Sequence, residues 1–293
     1  MLIRLVKESM TTKFIAEVSS NHHQDLNRCF QFIQTAAKIG CDAVKFQLFK
    51  IDQLFAPEIL AASETHRNRK EWELPVSFLP ELKRCCEQNN IEFSCTPFYL
   101  QAVEELQPYA NFLKIASYEL MWTDLLKACA GTNLPIILST GMASIEEIDE
   151  AVNTLKSAGA QDITLLHCVS AYPTPENECN LAVLGDFRQR YKVKVGWSDH
   201  SVSPAVINRA VHKWGAETIE FHLDLDKQGE EYAAGHCWLP EQMAPLIQDI
   251  RSAESIDGCA TKQAVASEKS DRDWRADPSD GLRPLKKIRS MAL

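Results

Sequence analysis

The chain has 293 residues, of which 45% are hydrophobic and 24% are charged, so it can bury a large core and form one large α/β domain. Its formal net charge of −9 argues against nucleic acid or an anionic membrane as a partner, because both attract basic surfaces. No run approaches the roughly 20 apolar residues of a membrane helix. The 10 cysteines lack a Cys-x-x-Cys spacing, which indicates reduced thiols in a cytoplasmic protein.

Strand-like and helix-like segments alternate along most of the chain. Apolar runs typical of buried strands lie near 13–19, 42–48, 91–95, 111–116, 134–139, 162–168, 192–197 and 217–222. Amphipathic stretches that predict helices lie at 26–39, 77–90, 144–158, 202–214 and 240–254. Because strands that alternate with helices form βαβ units, we predict a parallel sheet, and eight repeats match a closed (β/α)8 TIM barrel better than an open sheet.

Two segments depart from this alternation. Residues 48–76 are long for a connection and rich in charge, so we interpret them as a functional lid or excursion. Residues 269–293 combine dense charge with proline and glycine and predict an extended tail or arm. We therefore expect a barrel domain at 1–260, with a short N-terminal extension, and a C-terminal tail at 261–293.

Two histidines end consecutive apolar runs. His200 follows Val193–Asp199, and His222 follows Glu217–Phe221. Both imidazoles would lie at the carboxyl ends of strands, where a barrel of this kind carries its chemistry. Together they could share a divalent metal ion that keeps coordination positions open for substrate. A hydrogen-bonded, non-ligand histidine is the simpler interpretation for His22, His23, His167 and His236.

Other polar residues are predicted to reach the same mouth of the barrel. Lys45 and Lys114, with hydroxyl groups between them, would form a pocket for phosphate or carboxylate oxygens. Glu17 and Glu119 would lie close to this cationic pair and are candidates for positioning or general acid–base roles. Such a polar layer is hard to explain as packing alone, because buried polar groups cost free energy unless they are paired.

Several short motifs, in order along residues 13–225, resemble those of the sialic acid (N-acetylneuraminate) synthase family. They are Ile15-Ala16-Glu17, Val44-Lys45-Phe46-Gln47, Thr96-Pro97-Phe98, Lys114-Ile115-Ala116-Ser117, Ser139-Thr140-Gly141-Met142, Leu166-His167-Cys168, Tyr172-Pro173-Thr174-Pro175 and Gly196-Trp197-Ser198-Asp199-His200. The resemblance implies a homodimeric enzyme on a (β/α)8 barrel. It would condense phosphoenolpyruvate with an N-acetylated aldose, such as N-acetylmannosamine, to give a nine-carbon 2-keto sugar acid and phosphate.

The resemblance also implies roles for individual residues. Phosphoenolpyruvate would be held by Lys45, Thr96, Lys114, Ser117, Ser139 and Ser198. The sugar and the attacking water would be contacted or activated by Glu17, Gln47, Glu119 and Tyr172. His200 and His222 would bind manganese or magnesium, although two imidazoles by themselves suit zinc or iron better.

Three features depart from that family. Its members usually continue into a small antifreeze-like domain, for which we find no room before residue 293. Its acidic sugar contact, in a Gly-Pro-Asp-His pattern, aligns with Ala233–His236, which lacks the aspartate, and Ser170 replaces a frequent asparagine. We therefore expect a changed acceptor, or a partner protein that supplies contacts, and we hypothesise that Cys237 and Trp238 reshape the pocket.

Two alternatives stay open. One is a related phosphoenolpyruvate-condensing synthase or a metal-dependent aldolase with a different acceptor. The other is a degenerate, non-catalytic partner of a true synthase, which would bind the anion without turning it over.

Overall fold

The computed structural model describes residues 12–290, which divide into two compact units between Ser252 and Ala253. The predicted N-terminal extension lies outside the described residues. Within the described part of the chain, no helix is long and apolar enough to cross a membrane.

The first unit is built around a closed parallel sheet. Its strands are β1 (Lys13–Glu17), β2 (Ala43–Leu48), β3 (Glu92–Pro97), β4 (Phe112–Ile115), β5 (Ile136–Ser139), β6 (Ile163–Cys168), β7 (Lys194–Asp199) and β8 (Thr218–Leu223). Each strand pairs with the next, and β1 also pairs with β8, which closes the sheet. Every one of the eight apolar runs overlaps one strand, so the predicted (β/α)8 barrel is confirmed. A short ninth strand, β9 (Cys237–Trp238), pairs in parallel with β8.

Helices alternate with the strands of the first unit, and the last helix of the chain belongs to the second unit. They are α1 (Leu26–Lys38), α2 (Ile51–Leu54), α3 (Pro57–Ala62), α4 (Glu64–Asn68), α5 (Leu79–Gln88), α6 (Leu100–Leu106), α7 (Thr123–Gly131), α8 (Ile145–Ser157), α9 (Val183–Tyr191), α10 (Pro204–Asn208), α11 (Glu230–Ala233), α12 (Pro240–Ile256) and α13 (Lys286–Arg289). A π-helical turn at Arg209–Lys213 extends α10. The five predicted helices are confirmed, whereas α6, α7 and α9 were not predicted, because segments of seven to nine residues barely display a 3.6-residue period.

Local interactions explain where the helices begin. The Ser144 hydroxyl accepts a hydrogen bond from the backbone N–H of Glu147, and the Glu147 carboxylate accepts one from the backbone N–H of Ser144. This capping box satisfies amides that have no partner inside α8. Asp25 likewise accepts hydrogen bonds from the first turn of α1. These caps fix the chain direction as it leaves the barrel for the outer ring.

The barrel interior has an apolar layer at its amino-terminal end. Alternate residues of a strand face the same side, and the inward set includes a separate buried cluster of Ile15, Ala43, Phe112, Ile137 and Leu166. The opposite faces of the strands pack against the helices through a much larger core. Two residues further along the same strands, the inward positions become polar, so the apolar layer forms the floor of the candidate site.

Close approach of β7 and β8 requires a glycine. A Cβ atom at Gly196 would lie 2.2 Å from the backbone oxygen of Thr218. Glycine at this position therefore lets the two histidine-bearing strands pair directly.

The second unit, from Ala253 onward, is held by ion pairs. Asp280 pairs with Arg289 at 2.9 Å, and Lys287 pairs with Asp273 at 2.6 Å. None of the side chains described in this unit is fully buried. Its organisation therefore depends on polar contacts more than on an apolar core.

Candidate active site

A cavity of about 630 Å³ opens at the carboxyl ends of the strands. The predicted site residues that line it are Glu17, Lys45, Gln47, Lys114, Ser117, Glu119, Ser139, Tyr172, Ser198, His200 and His222. Thr96 does not line the cavity: it is fully buried, and its hydroxyl accepts a hydrogen bond from Lys45 Nζ at 3.3 Å. The structure therefore brings all the predicted site residues together. Eleven of them line the cavity, and Thr96 lies beneath its surface in contact with Lys45.

Two buried lysines and two carboxylates form the centre of the site. Lys45 Nζ pairs with Glu17 and lies 3.7 Å from Glu220, and Lys114 Nζ lies 3.3 Å from the same Glu220 oxygen. Burial lowers the pKa of Lys114, and Glu220 only partly offsets this effect. Burial also opposes the charged form of Lys45, but Glu17 and Glu220 outweigh it and raise the pKa of Lys45. Of the two lysines, Lys114 thus has the weaker compensation by neighbouring carboxylates for the loss of hydration of its charge.

Glu220 had no assigned role in the sequence analysis. Burial disfavours its charge, but Lys114 and Lys45 outweigh burial and lower its pKa. Its inward position follows from strand alternation, because it lies two residues before His222 on β8. That alternation was the signal that could have placed it in the site.

Glu17 has both carboxylate oxygens occupied. Oε1 accepts hydrogen bonds from the backbone N–H of Ser19 and from Gln47 Nε2, each at 2.9 Å, and Oε2 pairs with Lys45. Strand β1 lies between β2 and β8, so Glu17 is in register with both Lys45 and His222. Glu17 is therefore fixed in place between the lysines and the histidines.

Glu119 is buried with much less support. It lies in a 3-10 turn after β4, and its Oε2 atom has no hydrogen-bond partner. Burial raises the pKa of Glu119 to about 7, although Lys114 acts in the opposite direction. The carboxyl group therefore changes protonation state near neutral pH, as a general acid or base requires.

Unpaired hydroxyl groups lie beside the lysines. Ser139 Oγ and Ser170 Oγ are buried without a hydrogen-bond partner. Ser117 Oγ accepts a hydrogen bond from the backbone N–H of Gly141, where a Cβ atom would lie only 2.2 Å from Ser170 Oγ. Because buried hydroxyl groups are normally paired, these donors are suited to the oxygens of a bound anion.

His200 and His222 each use one ring nitrogen, Nδ1, in a hydrogen bond to a neighbouring oxygen. His200 Nδ1 lies 3.0 Å from the backbone oxygen of Val169, and His222 Nδ1 lies 2.7 Å from Glu231 Oε2. Because a carbonyl or carboxylate oxygen only accepts, each Nδ1 carries a proton, so in the neutral imidazole it is Nε2 that keeps the lone pair. Metal-binding histidines are commonly held this way. The ring centroids are 5.3 Å apart, so the two residues fit a shared divalent cation.

The surroundings affect the two histidines differently. Burial, reinforced by His222, lowers the pKa of His200 to about 3, which keeps that imidazole neutral. Burial has the same effect on His222, but the charge and hydrogen bond of Glu231 outweigh it and raise the pKa of His222. Glu231 itself is held by Ser19, whose hydroxyl donates to Oε1 at 2.5 Å.

Glu231 and His236 come from the segment after β8. Single donor atoms of His222, Glu231, His236 and Cys237 all lie within 4.8 Å of one another. The sequence analysis assigned no role to Glu231 and favoured a non-ligand interpretation of His236. No local pattern identified them, because β9 and α11 bring this segment back to the mouth only through pairing with β8.

Trp238 does not line the cavity. Its side chain is fully buried, and its indole N–H donates to Asp199 Oδ2 at 2.9 Å. The indole N–H of Trp197 donates to the other oxygen of Asp199 at 2.9 Å. The polar atom of Trp238 therefore anchors β9 to the barrel, and the hypothesis that Cys237 and Trp238 reshape the pocket stays a prediction.

The excursion at 48–76 forms one wall of the cavity. Its lining residues are Phe49, Ile51, Leu54, Phe55, Arg69 and Trp72. The Arg69 guanidinium lies over the rings of Trp72 and Phe55, 5.1 and 5.7 Å from their centroids. Aromatic side chains and one cation of this segment thus line the same cavity as the histidines.

Comparisons with known proteins match most of this chain. The model of the NeuB family matches residues 32–262. The chain is 37% identical to N,N'-diacetyllegionaminic acid synthase of Campylobacter jejuni, over 88% of this chain and 80% of that protein. It is 35% identical to an uncharacterised protein of Methanocaldococcus jannaschii, over 91% of this chain and 78% of that one. The crystal structure of N-acetylneuraminic acid synthetase from Leptospira borgpetersenii aligns with a TM-score of 0.78 at 32% identity, covering 89% of this chain and 90% of that one.

Proposed function

Because this chain belongs to the NeuB family, the sialic acid synthase family that its motifs resemble, we propose that it condenses phosphoenolpyruvate with an N-acetylated aldose. The products would be a nine-carbon 2-keto sugar acid and phosphate, and N-acetylmannosamine is the first acceptor to test. One observation supports this proposal above all: two buried lysines and two imidazoles line a single cavity.

Lys114 is the proposed principal contact of the phosphoenolpyruvate anion. It shares the one carboxylate of Glu220 with Lys45, so its ammonium group retains donors for a further oxygen. Ser139 contributes an unpaired hydroxyl from the neighbouring strand β5. Ammonium and hydroxyl donors bind phosphate and carboxylate oxygens and stabilise the charge of departing phosphate. Ser117 and Ser198 would complete this half of the site, with Thr96 holding Lys45.

Two carboxylates would serve different steps. In the proposed reaction C3 of phosphoenolpyruvate bonds to the aldehyde carbon, water adds at C2, and the C2–O bond to phosphate breaks. Glu17 is fixed by Lys45 and Gln47, so it suits stabilisation of the positive character at C2. Glu119 has a free oxygen and a pKa of about 7, so it suits transfer of a proton between water, the aldehyde oxygen and phosphate.

His200 and His222 would hold a divalent cation, for which the resemblance suggests manganese or magnesium. When bound, such a cation polarises the aldehyde carbonyl as a Lewis acid. Val169 and Glu231 fix the two imidazoles, and the Tyr172 ring packs against His200 in a tilted arrangement with centroids 4.2 Å apart. Tyr172 would therefore both restrain His200 and contact the acceptor.

The acceptor half supports a sugar that differs from the usual one. Gly235 occupies the position of the family's aspartate and has φ of 93°, a conformation in which a side chain is strained. Arg69, Trp72 and Phe55 present a cation and aromatic faces instead. We propose that this wall, with Gln47 and Tyr172, selects the acceptor.

The proposal is tested by phosphate release from phosphoenolpyruvate with manganese, magnesium, zinc or cobalt, each added separately, across a panel of N-acetylated, diacetylated and deoxy aldoses. Acceptor-dependent release is expected, with loss in His222→Ala and no change in His212→Ala, which alters an exposed histidine of the outer ring. Silence across the panel, while phosphoenolpyruvate still binds, would reject the synthase and leave the non-catalytic partner. Retro-aldol cleavage without phosphate release would instead identify an aldolase.

Two further parts of the proposal concern the protein as a whole. We propose a homodimer, which light scattering on the purified protein would test. We also propose a reducing, cytoplasmic setting, because all the cysteines in the described residues are free and nine of them are buried.

A further inference from the structure

A third imidazole lies beside His200 and His222. His236 precedes β9, its side chain is buried, and its Nδ1 atom has no hydrogen-bond partner. Its Nε2 atom lies 3.9 Å from Glu231 Oε2, which is too long for a hydrogen bond. A buried imidazole with unpaired nitrogens costs free energy unless a ligand satisfies it.

The three rings are neighbours at distances that suit one ion. Their centroids are 5.3 Å apart for His200 and His222, 5.1 Å for His222 and His236, and 6.5 Å for His200 and His236. A point equidistant from the three centroids lies roughly 3.3 Å from each of them. A metal–nitrogen bond of about 2.1 Å places a metal at a similar distance, roughly 3.2 Å, from the centroid of the ring that binds it. One ion could therefore be shared once a nitrogen of each ring turns toward that point.

The backbone holds His236 in this position. Cys237 pairs in register with His222 across β8 and β9, and Trp238 anchors β9 to Asp199. Glu231, itself fixed by Ser19, has its Oε2 atom 2.7 Å from His222 Nδ1 and 3.9 Å from His236 Nε2. Ligands on paired strand ends are already close to their binding geometry, so little ordering is needed when a metal binds.

We propose that His236 is a third imidazole ligand of the cation that His200 and His222 are proposed to hold, with Glu231 as the carboxylate that orients His222. This inference depends on the proposed function for the presence of that cation. Three imidazoles select zinc, cobalt or iron(II) over magnesium and manganese, which prefer oxygen-rich sites. Three protein ligands also leave at least one coordination position open for the acceptor.

One consequence separates this site from a two-histidine site. With three protein ligands, the cation should remain bound without either substrate. With two, it would depend on substrate oxygens to complete its coordination, and its affinity would rise when the acceptor is added.

The experiment uses the full chain, stripped with a chelator and reloaded with zinc, cobalt or manganese alone. X-ray absorption spectroscopy counts the bound imidazoles, and competition with a chromogenic chelator gives each dissociation constant. His236→Phe removes both ring nitrogens while keeping a ring, and His236→Gln is a second variant in case the first fails to fold. His212→Gln is the matched control at an exposed histidine. We expect three imidazoles in the wild type and in the control, two in both His236 variants, and weakening of zinc binding by at least the roughly 10–100-fold that follows loss of a supporting partner.

Two imidazoles in the wild type, or zinc affinity unchanged in the His236 variants, would overturn the inference. So would failure of the stripped protein to bind any of the three cations. Phosphate release, measured separately, distinguishes this failure from that of the proposed function. Turnover with a two-imidazole cation would reject the third ligand alone, whereas three imidazoles without turnover on any acceptor would support the site and count against the synthase.

Discussion

Replacing Glu119 by glutamine should make the protein more stable while removing most of its activity. Burial raises the pKa of Glu119 from 4.5 to about 7, because the charged form loses its hydration and Lys114 only partly compensates. The folded state therefore binds this proton more tightly than the unfolded state. Stability from this group is complete below pH 4.5 and is lost as the pH rises through about 7.

The magnitude follows from the shift. Each unit of pKa corresponds to about 1.36 kcal/mol, so the ionised carboxylate costs roughly 3 kcal/mol once the pH exceeds 7. At pH 5.5 the cost is only about 1 kcal/mol, because the folded state keeps most of its proton. Glutamine has nearly the same shape and no charge, so Glu119→Gln should recover about 1 kcal/mol at pH 5.5 and about 3 kcal/mol at pH 8.5.

Urea unfolding of the wild type and the variant at pH 5.5, 7 and 8.5 measures this difference. Other titrating groups cancel when the two proteins are compared at each pH. Glu150→Gln, at an exposed position of α8, is the matched control and should show a small difference that does not vary with pH. A Glu119→Gln difference that is flat across the pH range, or that destabilises at pH 8.5, would refute the reasoning. Phosphate release should fall by about 10²–10⁴-fold in Glu119→Gln if the carboxyl group transfers a proton.

Three further predictions concern packing, the anion and the histidines. Gly196→Ala should destabilise the protein by more than about 4 kcal/mol or prevent folding, because its Cβ atom would lie 2.2 Å from a backbone oxygen of β8. The control Gly131→Ala has open space around its Cβ atom and should be neutral or mildly stabilising in the same urea assay. Lys114→Met should weaken phosphoenolpyruvate binding, measured by calorimetry, by at least about tenfold, and an equal loss in the exposed control Lys127→Met would show that the effect is not specific. Glu231→Gln should weaken zinc binding by about 10-fold or more, and unchanged affinity would mean that this carboxylate does not orient His222.

Strand positions and the core of the site could be predicted because they depend on short-range patterns. Alternation along β1, β2 and β4 places Glu17, Lys45 and Lys114 two residues beyond the inward apolar layer, and that spacing is visible in the sequence. The closed barrel then brings these positions together without further information. The structure confirms the strands and places these three side chains at one cavity, while their roles stay predictions.

The segment after β8 could not be predicted in the same way. Glu231 and His236 reach the histidines only because β9 pairs with β8 and Trp238 binds Asp199, which is 39 residues away in the sequence. The same bond explains why the side chain of Trp238 is buried away from the cavity, which the sequence does not reveal because its carboxylate partner is distant along the chain. Long-range pairing, rather than local propensity, decides both outcomes.

Charge balance in the cavity also constrains what Glu119 can do when substrate is bound. Burial lowers the pKa of Lys114 and raises that of Glu119, so both groups are driven toward their neutral forms in the free protein. A phosphoenolpyruvate anion beside Lys114 would favour the ammonium ion and disfavour the Glu119 carboxylate still further. Glu119 would then enter the reaction protonated and donate its proton to the aldehyde oxygen or to departing phosphate. Stabilisation of positive character at C2 would remain with Glu17, whose two oxygens are already held by Lys45, Gln47 and the backbone of Ser19.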